Sequence, residues 1–543
     1  MSWTIRRTLG AIALDKVVNI SLVTLHRIAC RKIEQETQGT LKRKRVIDNN
    51  DPEIDIVALD VRAVQNYFTD LPSTLINTLT EKLMKAYRKY DYYRADERIL
   101  RPLFSMIIEV VFSPHLTSFH DEWMPFDQYD GTLEKYYNIE FYYNRLFKCS
   151  NLRELSLTRN PKGGTVRNTV IKTFQNFSHL TTLLLIPENS IKSFHWVISS
   201  VVRSCPRLKI FHIVYDGQRL EHQEDRVGIK DIVQCRDLVS LYLFDCSKFT
   251  SVNVEDDLQT LLKGLKYLKY IFHKQVISAI YDLNFRTAVK FGLERLDFFH
   301  EDKYSLFRVD HYKELVDGNK LIRLCVACPD IKVLRLAKPP CIFPVAGFLK
   351  NLQVLDLTEC SDYIINDDLL PTIQFGMLKN LTTLKLTDVS CLDYAFFSDL
   401  ARSCPDIEVI SIRRSAIVAN GQLIKERVSA FPSLKQLILK PHTPIDMWQV
   451  GIDLTYYFLS GAYNITHVNL EYDPSYMELE DDPTNVPRPN IFMSLKHLTF
   501  LKLITPPQIL CVLVEEFLSH GSLHQISASC EGYIVALGRE DPW

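Results

Sequence analysis

The chain has 543 residues, with 64 basic against 65 acidic side chains and a net charge of −1, so neither a nucleic-acid backbone nor an anionic membrane surface is expected as a partner. No apolar run approaches the roughly 20 residues of a membrane helix. The 18 glycines, about 3% of the chain against a typical 7%, leave no Gly-rich loop to cradle phosphates.

The first elements in chain order are helical. Residues 17–36 place Leu22, Leu25, Ile28, Ala29 and Ile33 at helical spacing. Arg6 and Arg7 precede an apolar stretch that Asp15 and Lys16 interrupt early, which argues against a cleaved leader. Lys42-Arg43-Lys44-Arg45 and the polar run Asp48 to Glu53 mark a linker near 40–56; the basic tetrad reads as a solvated loop or a nuclear import signal. A second helix opens at Asp70-Leu71-Pro72, where Pro suits the first helical turn, and Leu71, Leu75, Leu79 and Leu83 form one stripe. Residues 1–90 are therefore expected to be a helical capping or adaptor-binding region. Residues 91–150, rich in Tyr and Phe, are expected as an irregular leading repeat with a decayed strand near Leu116 and Phe119.

From residue 151 to 543 one pattern recurs. Asn351-Leu352-Gln353-Val354-Leu355-Asp356-Leu357-Thr358-Glu359-Cys360 matches L-x-x-L-x-L-x-x-N/C, with leucines pointing inward from a short strand and the residues between them facing out. The triplet returns at Leu152/Leu155/Leu157, Leu180/Leu183/Leu185, Leu208/Phe211/Ile213, Leu238/Leu241/Leu243, Leu268/Ile271/His273, Leu293/Leu296/Phe298 and Ile331/Leu334/Leu336. It continues at Leu381/Leu384/Leu386, Ile407/Ile410/Ile412, Leu434/Leu437/Leu439, Ile465/Val468/Leu470, Leu498/Leu501/Leu503 and, decayed, Leu523/Ile526/Ala528. The mean spacing of about 28–29 residues leaves room for a helix in each unit. Cys-Pro endings at Cys205-Pro206, Cys328-Pro329 and Cys404-Pro405 close those helices. The expected fold is α/β, a leucine-rich-repeat solenoid with strands on the concave and helices on the convex side. Ile331 and Leu352 lie closer than one period, so Lys338-Pro339-Pro340 is expected to replace a helix with a tighter connector. The acidic stretch from Tyr472 to Asn490 reads as an inserted loop.

The N-terminal helices carry a family resemblance. Ser21-Leu22-Val23-Thr24-Leu25-His26-Arg27, followed by Cys30 and Ile33, resembles the elongin-C-binding box, Ser/Thr-Leu, three residues, then Cys; in the closest register His26 stands in the Cys slot. Leu71-Pro72-Ser73-Thr74-Leu75 resembles the Leu-Pro-x-x-hydrophobic cullin box and also the opening of an F-box, which binds the Skp adaptor. This order of elements resembles the leucine-rich-repeat substrate receptors of cullin-RING ubiquitin ligases. The resemblance implies that Leu22, Leu25, His26, Cys30, Leu71, Pro72 and Leu75 bind an adaptor, that elongin C and a cullin are partners (or the Skp adaptor, if F-box type), and that the repeats bind a protein substrate. The alternative left open is a non-catalytic interaction scaffold unrelated to ubiquitin, with both helices serving as caps.

No catalytic constellation is visible: there is no H-E-x-x-H, G-x-S-x-G or P-loop. Neither a cofactor nor a metal is expected, and the 13 cysteines, an odd number, read as buried thiols of a reducing compartment, cytoplasmic or nuclear. Cys325-Val326-Ala327-Cys328 has redox or zinc spacing, but it lacks a second pair and falls on a repeat helix. For substrate, stacking the residues between the leucines gives Tyr242 and Phe244, then Tyr270, Phe272 and Lys274, then Arg295, Asp297 and Phe299, then Arg335. An aromatic and basic strip of this kind is expected to face solvent and bind an extended or terminal peptide segment, its basic residues favouring acidic groups; the alternative left open is that some of these rings pack under the irregular segment 300–330.

Overall fold

The computed structural model describes residues 15–30, 66, 71–92, 97–120, 144–157, 172–185, 195–215, 229–245, 254–273, 275–299, 317–361, 363–389, 392–418, 430–440, 457–459, 462–470, 497, 500–504, 525–530 and 533–538. The linker near 40–56 with its basic tetrad, Ile33 and the acidic stretch 472–490 lie outside them. Contacts divide the chain into two units, Met1–Leu268 and Lys269–Trp543.

In the first unit the strands β1 (Ser118–His120), β2 (Glu154–Leu157), β3 (Thr182–Leu185), β4 (Ile210–Tyr215) and β5 (Ser240–Asp245) lie side by side in chain order, all parallel. The register aligns like with like: Phe119 on Leu155, Leu155 on Leu183, Leu183 on Phe211 and Phe211 on Leu241. Each of these side chains is fully buried or nearly so. Each such burial contributes about 1.5–3 kcal/mol, and it is available only when a neighbouring repeat covers the leucine row. The ladder thus starts at β1, where the sequence suggested a decayed strand.

The second unit repeats this with β6 (Tyr270–Phe272), β7 (Arg295–Asp297), β8 (Val333–Ala337), β9 (Val354–Thr358), β10 (Thr383–Thr387), β12 (Val409–Arg413), β14 (Gln436–Lys440), β15 (His467–Leu470), β16 (Phe500–Ile504) and β17 (Gln525–Cys530). Leu296, Leu334, Leu355, Leu384, Ile410, Leu437, Val468, Leu501 and Ile526 stand in one row. Each unit is a run of leucine-rich repeats. Two departures were not expected: β11 (Leu392–Asp393) and β13 (Ile417–Val418) form a separate parallel pair, and β18 (Tyr533–Gly538) returns antiparallel along β17.

Helices α1 (15–30), α2 (Ser73–Tyr92), α3 (Glu97–Val111), α4 (His195–Ser204) and α5 (Val254–Gly264) belong to the first unit. The second holds α6 (Val276–Thr287), α7 (Gly318–Ala327), α8 (Phe343–Ala346), α9 (Leu370–Gln374) and α10 (Tyr394–Ser403). Asp317 and Asp393 cap α7 and α10, accepting from the backbone N–H of Lys320 and Phe396 at 2.8 Å. At the far ends of α4, α7 and α10 the backbone N–H of the Cys of Cys-Pro makes the last helical bond: Cys205, Cys328 and Cys404 donate to Val201, Leu324 and Leu400 at 2.8–2.9 Å. The Pro that follows has no N–H to continue the ladder.

The cysteines share a further place. Cys149, Cys205, Cys235, Cys328 and Cys404 stand three residues before the first leucine of a strand, as do Phe177, Leu265, Leu349, Leu378, Phe431 and Ala462 in the other repeats. All of these are buried. In ten of the repeats the carbonyl at this position accepts the N–H of that first leucine or isoleucine. The Cys404 thiol donates to the Leu378 carbonyl of the repeat before it at 3.3 Å. Burial pushes the thiols up, Cys205 and Cys404 to about 12 and Cys235 to about 11, so these side chains act as small apolar groups. Cys328 is one of this column, and Cys325 is buried on α7.

The tight connector has its own device. Between β8 and β9 the helix shrinks to α8, four residues opened by Phe343-Pro344. The carboxylate of Asp368, buried in the next repeat, accepts from the backbone N–H of Ile342 and, at 2.6 Å, of Phe343.

Candidate functional site

The N-terminal helices carry the first group of predicted binding residues. On α1, Leu22 and Leu25 are buried, with Val18, Ile28 and Ala29 beside them on the inner face. His26 and Cys30 are half-buried, one turn apart, with Nε2 and Sγ 3.7 Å from each other. The outer face shows Ile20, 58% exposed, and Val23, 50% exposed, one turn apart. On α2 the stripe read from the sequence is rotated: Ile76, Leu79, Leu83, Met84 and Tyr87 are buried, Leu71 is half-buried, and Pro72 and Leu75 are exposed. An ion pair of Asp15 with Lys82 ties the start of α1 to α2.

Helix α2 also closes the edge of the ladder. In successive repeats two consecutive N–H groups at the strand entrance donate to one carbonyl of the preceding repeat. Arg153 and Glu154 use Thr117 O, and Thr181 and Thr182 use Arg153 O, at 2.8–3.0 Å. Among the described residues no repeat before β1 supplies a carbonyl. There Thr117 and Ser118 donate to Asn77 Oδ1 of α2 at 3.1 and 3.3 Å, while Asn77 Nδ2 donates to Thr117 Oγ1 at 2.8 Å. A side-chain amide stands in for the missing peptide and satisfies an otherwise open strand edge.

The predicted substrate strip falls on both units. In the first, Tyr242 is buried with its ring 5.6 Å from His212. Phe244 lies on β5 opposite Val214; its side chain and Lys274 are outside the described residues. In the second, Tyr270 donates to Asp297 Oδ2 at 3.0 Å, and Arg295 lies 4.6 Å over its ring while binding both Asp297 oxygens at 2.6–2.9 Å. Arg335 holds Asp356 at 3.1 Å and lies 5.4 Å over Phe299.

These contacts correct the expectation of rings facing solvent. Tyr242, Phe272 and Phe299 are buried, and the guanidinium groups of Arg295 and Arg335 are engaged by carboxylates one strand away or on their own strand. The register explains it, because Asp297 pairs with Arg335 and Arg335 with Asp356 in the same row. Opposite charges at that distance draw the long side chains down over the rings. Burial lowers and the Asp297 hydrogen bonds raise the Arg295 pKa, with a net upward shift; burial and then the Asp297 charge hold the Tyr270 phenol well above its usual range. Asp356 entered the sequence reading only as part of the repeat, not as a partner of Arg335. Its signal was the alternation Asp297, Arg335, Asp356, Lys385 at one repeat position.

Among the described residues no group of three His, Cys, Asp or Glu side chains is placed to hold a metal, and no helix is long and apolar enough to cross a membrane. No protein-family model matches the sequence. No curated protein matches it either. Solved structures similar to it include the Rad7 and Elc1 complex of yeast, at 14% identity and TM-score 0.39 over 75% of this chain and 96% of that one. Others are the leucine-rich-repeat protein LIC12759 of Leptospira interrogans, at 14% identity and TM-score 0.29 over 78% and 90%, and the leucine-rich repeat-containing protein LegL7 of Legionella pneumophila, at 10% identity and TM-score 0.30 over 55% and 83%.

Proposed function

We propose that this chain is the substrate-recognition subunit of a cullin-RING ubiquitin ligase, docking an adaptor through α1 and α2 and holding a protein substrate on its repeats. The observation that carries this is the outer face of α1 within the elongin-box-like stretch. Ile20 and Val23 are more exposed than any interior packing requires, and an apolar pair one turn apart is how a helix seats in a partner's groove. Exposed Pro72 and Leu75 at the start of α2 extend the apolar surface available to a cullin. Leu22 and Leu25 support this surface from within, so the adaptor meets the Ile20 side of α1 and not the Leu22 side. Ubiquitin transfer is left to a RING subunit.

Capture of tagged full-length chain from cell extract tests this reading. Elongin C together with a cullin is the expected outcome. Recovery of the Skp adaptor instead would move the chain to the F-box type, and recovery of no adaptor would leave a repeat scaffold capped by α1 and α2.

A further inference from the structure

Helix α1 is apolar on two sides. Val18, Leu22, Leu25, Ile28 and Ala29 are buried, whereas Lys16, Ile20, Val23 and Arg27 are all exposed. At about 3.6 residues per turn these four fall within roughly 60° of arc. They form one outward stripe, with a cation at each end and two β-branched aliphatic side chains between. A face made only for solvent would carry polar residues in the two middle places. Thr24, which borders the stripe, turns its hydroxyl back to the Ile20 carbonyl at 2.8 Å.

The two cations are unmatched. Asp15 is the one acidic residue in 15–30, and Lys82 of α2 holds it. Glu81 on α2 is paired with Lys85, and Glu109 on α3 with Arg145 and Lys148. Among the described residues Lys16 and Arg27 make no hydrogen bond or ion pair.

We propose that the partner surface of α1 is a groove with an apolar floor and an acidic group at either end, about 16 Å apart along the helix. Ile20 and Val23 fill the floor while Lys16 and Arg27 engage the acidic groups. The inference rests on the reading of α1 as the adaptor-docking helix and adds the chemistry of the surface it docks on. The apolar pair gives affinity once it is desolvated. Cations at the rim speed encounter, fix which end of the helix lies where, and penalise a groove flanked by basic groups. An anionic bilayer also attracts cations beside apolar residues, but it is held by a helix that turns its main apolar face to the lipid; α1 turns that face inward.

The test measures binding of purified elongin C to the full-length protein by biolayer interferometry at low and high salt. Wild type should bind, with an association rate that falls as salt rises. Lys16→Glu/Arg27→Glu should bind about tenfold or more weakly at low salt, mainly through slower association, with a gap that narrows at high salt and an unchanged melting temperature. Lys350→Glu/Lys379→Glu, an equal change of net charge at two exposed lysines of the second unit, should bind as wild type does. Equal affinity in wild type and Lys16→Glu/Arg27→Glu overturns this proposal and leaves the ligase reading standing. So does a gap that salt does not narrow, or one that the Lys350→Glu/Lys379→Glu protein shares. Binding to phosphatidylserine vesicles that Lys16→Glu/Arg27→Glu loses, with its elongin C affinity unchanged, would assign the stripe to a membrane instead. No binding of elongin C by wild type removes the elongin reading and this proposal with it.

Discussion

Arg335 is 8% exposed and Asp356 2%, so each has traded water for the other. A buried ion pair adds little net stability, yet removing one partner strands the other charge. Asp356→Ala should therefore lower the unfolding free energy by about 3–5 kcal/mol, and Asp356→Leu with Arg335→Met should recover much of that loss; urea denaturation of both variants checks it. Glu294 is a milder case. Hydrogen bonds from Lys332 and Lys269 hold its carboxyl below the usual range, at side-chain exposure of 32%. A depressed carboxyl stabilises the fold above its unfolded value, and that contribution is lost as pH falls through the folded one. Glu294→Gln should thus destabilise slightly at neutral pH, by less than about 1 kcal/mol given solvent screening. The gap to wild type should close on acidification below about pH 4, as followed by thermal unfolding across pH. Little of this was readable from the residues alone. The alternation of Asp297, Arg335 and Asp356 is plain once the strands are stacked, but whether a guanidinium reaches a carboxylate or solvent depends on geometry that a linear pattern does not carry.

At the scale of single elements the repeat strands were fully readable, because L-x-x-L-x-L has the period of a strand and the stacking of repeats leaves one register in which every leucine is covered. The strand ends were not. Lys338, Glu359, Asp388 and Arg414 each follow a strand with φ between 47 and 55°, and each donates its N–H to the last strand residue of the next repeat, at 2.6–3.0 Å. The bond that this left-handed turn permits offsets its steric cost, and no glycine marks the place. Ala288, which caps α6 at φ 52° and donates to Asn284 O at 2.8 Å, has the same conformation on an exposed site. Ala288→Gly should stabilise by about 0.5–1 kcal/mol, seen as a raised midpoint in urea. Asn77 was equally hidden, since a single amide in an amphipathic helix gives no sign that it replaces a peptide carbonyl. Asn77→Leu leaves the Thr117 and Ser118 N–H groups without that acceptor, which costs about 1–3 kcal/mol. Hydrogen exchange should quicken at β1 and β2 while β9 and β10 keep their protection, because solenoid stability is carried by nearest neighbours.

For the molecule as a whole, the repeats and the N-terminal helices have separable tasks. The repeats bury their leucines against one another, and on the opposite face Arg335 pairs with Asp356. Helices α1 and α2 close the first edge with Asn77 and turn Ile20, Val23, Pro72 and Leu75 outward. The same two helices therefore cap the ladder and carry the surface proposed for the adaptor. Because Ile20 and Val23 lie on the outside, their replacement can be separated from unfolding, which is not so for Leu22 or Leu25. Calorimetric titration of purified elongin C into the full-length chain, for wild type and for Ile20→Asp/Val23→Asp, is the most direct measurement of the ligase assignment. Saturable binding by wild type, weakened roughly tenfold or more in a variant with an unchanged melting temperature, is the predicted result; no heat with wild type, or equal affinity in the two proteins, would contradict it.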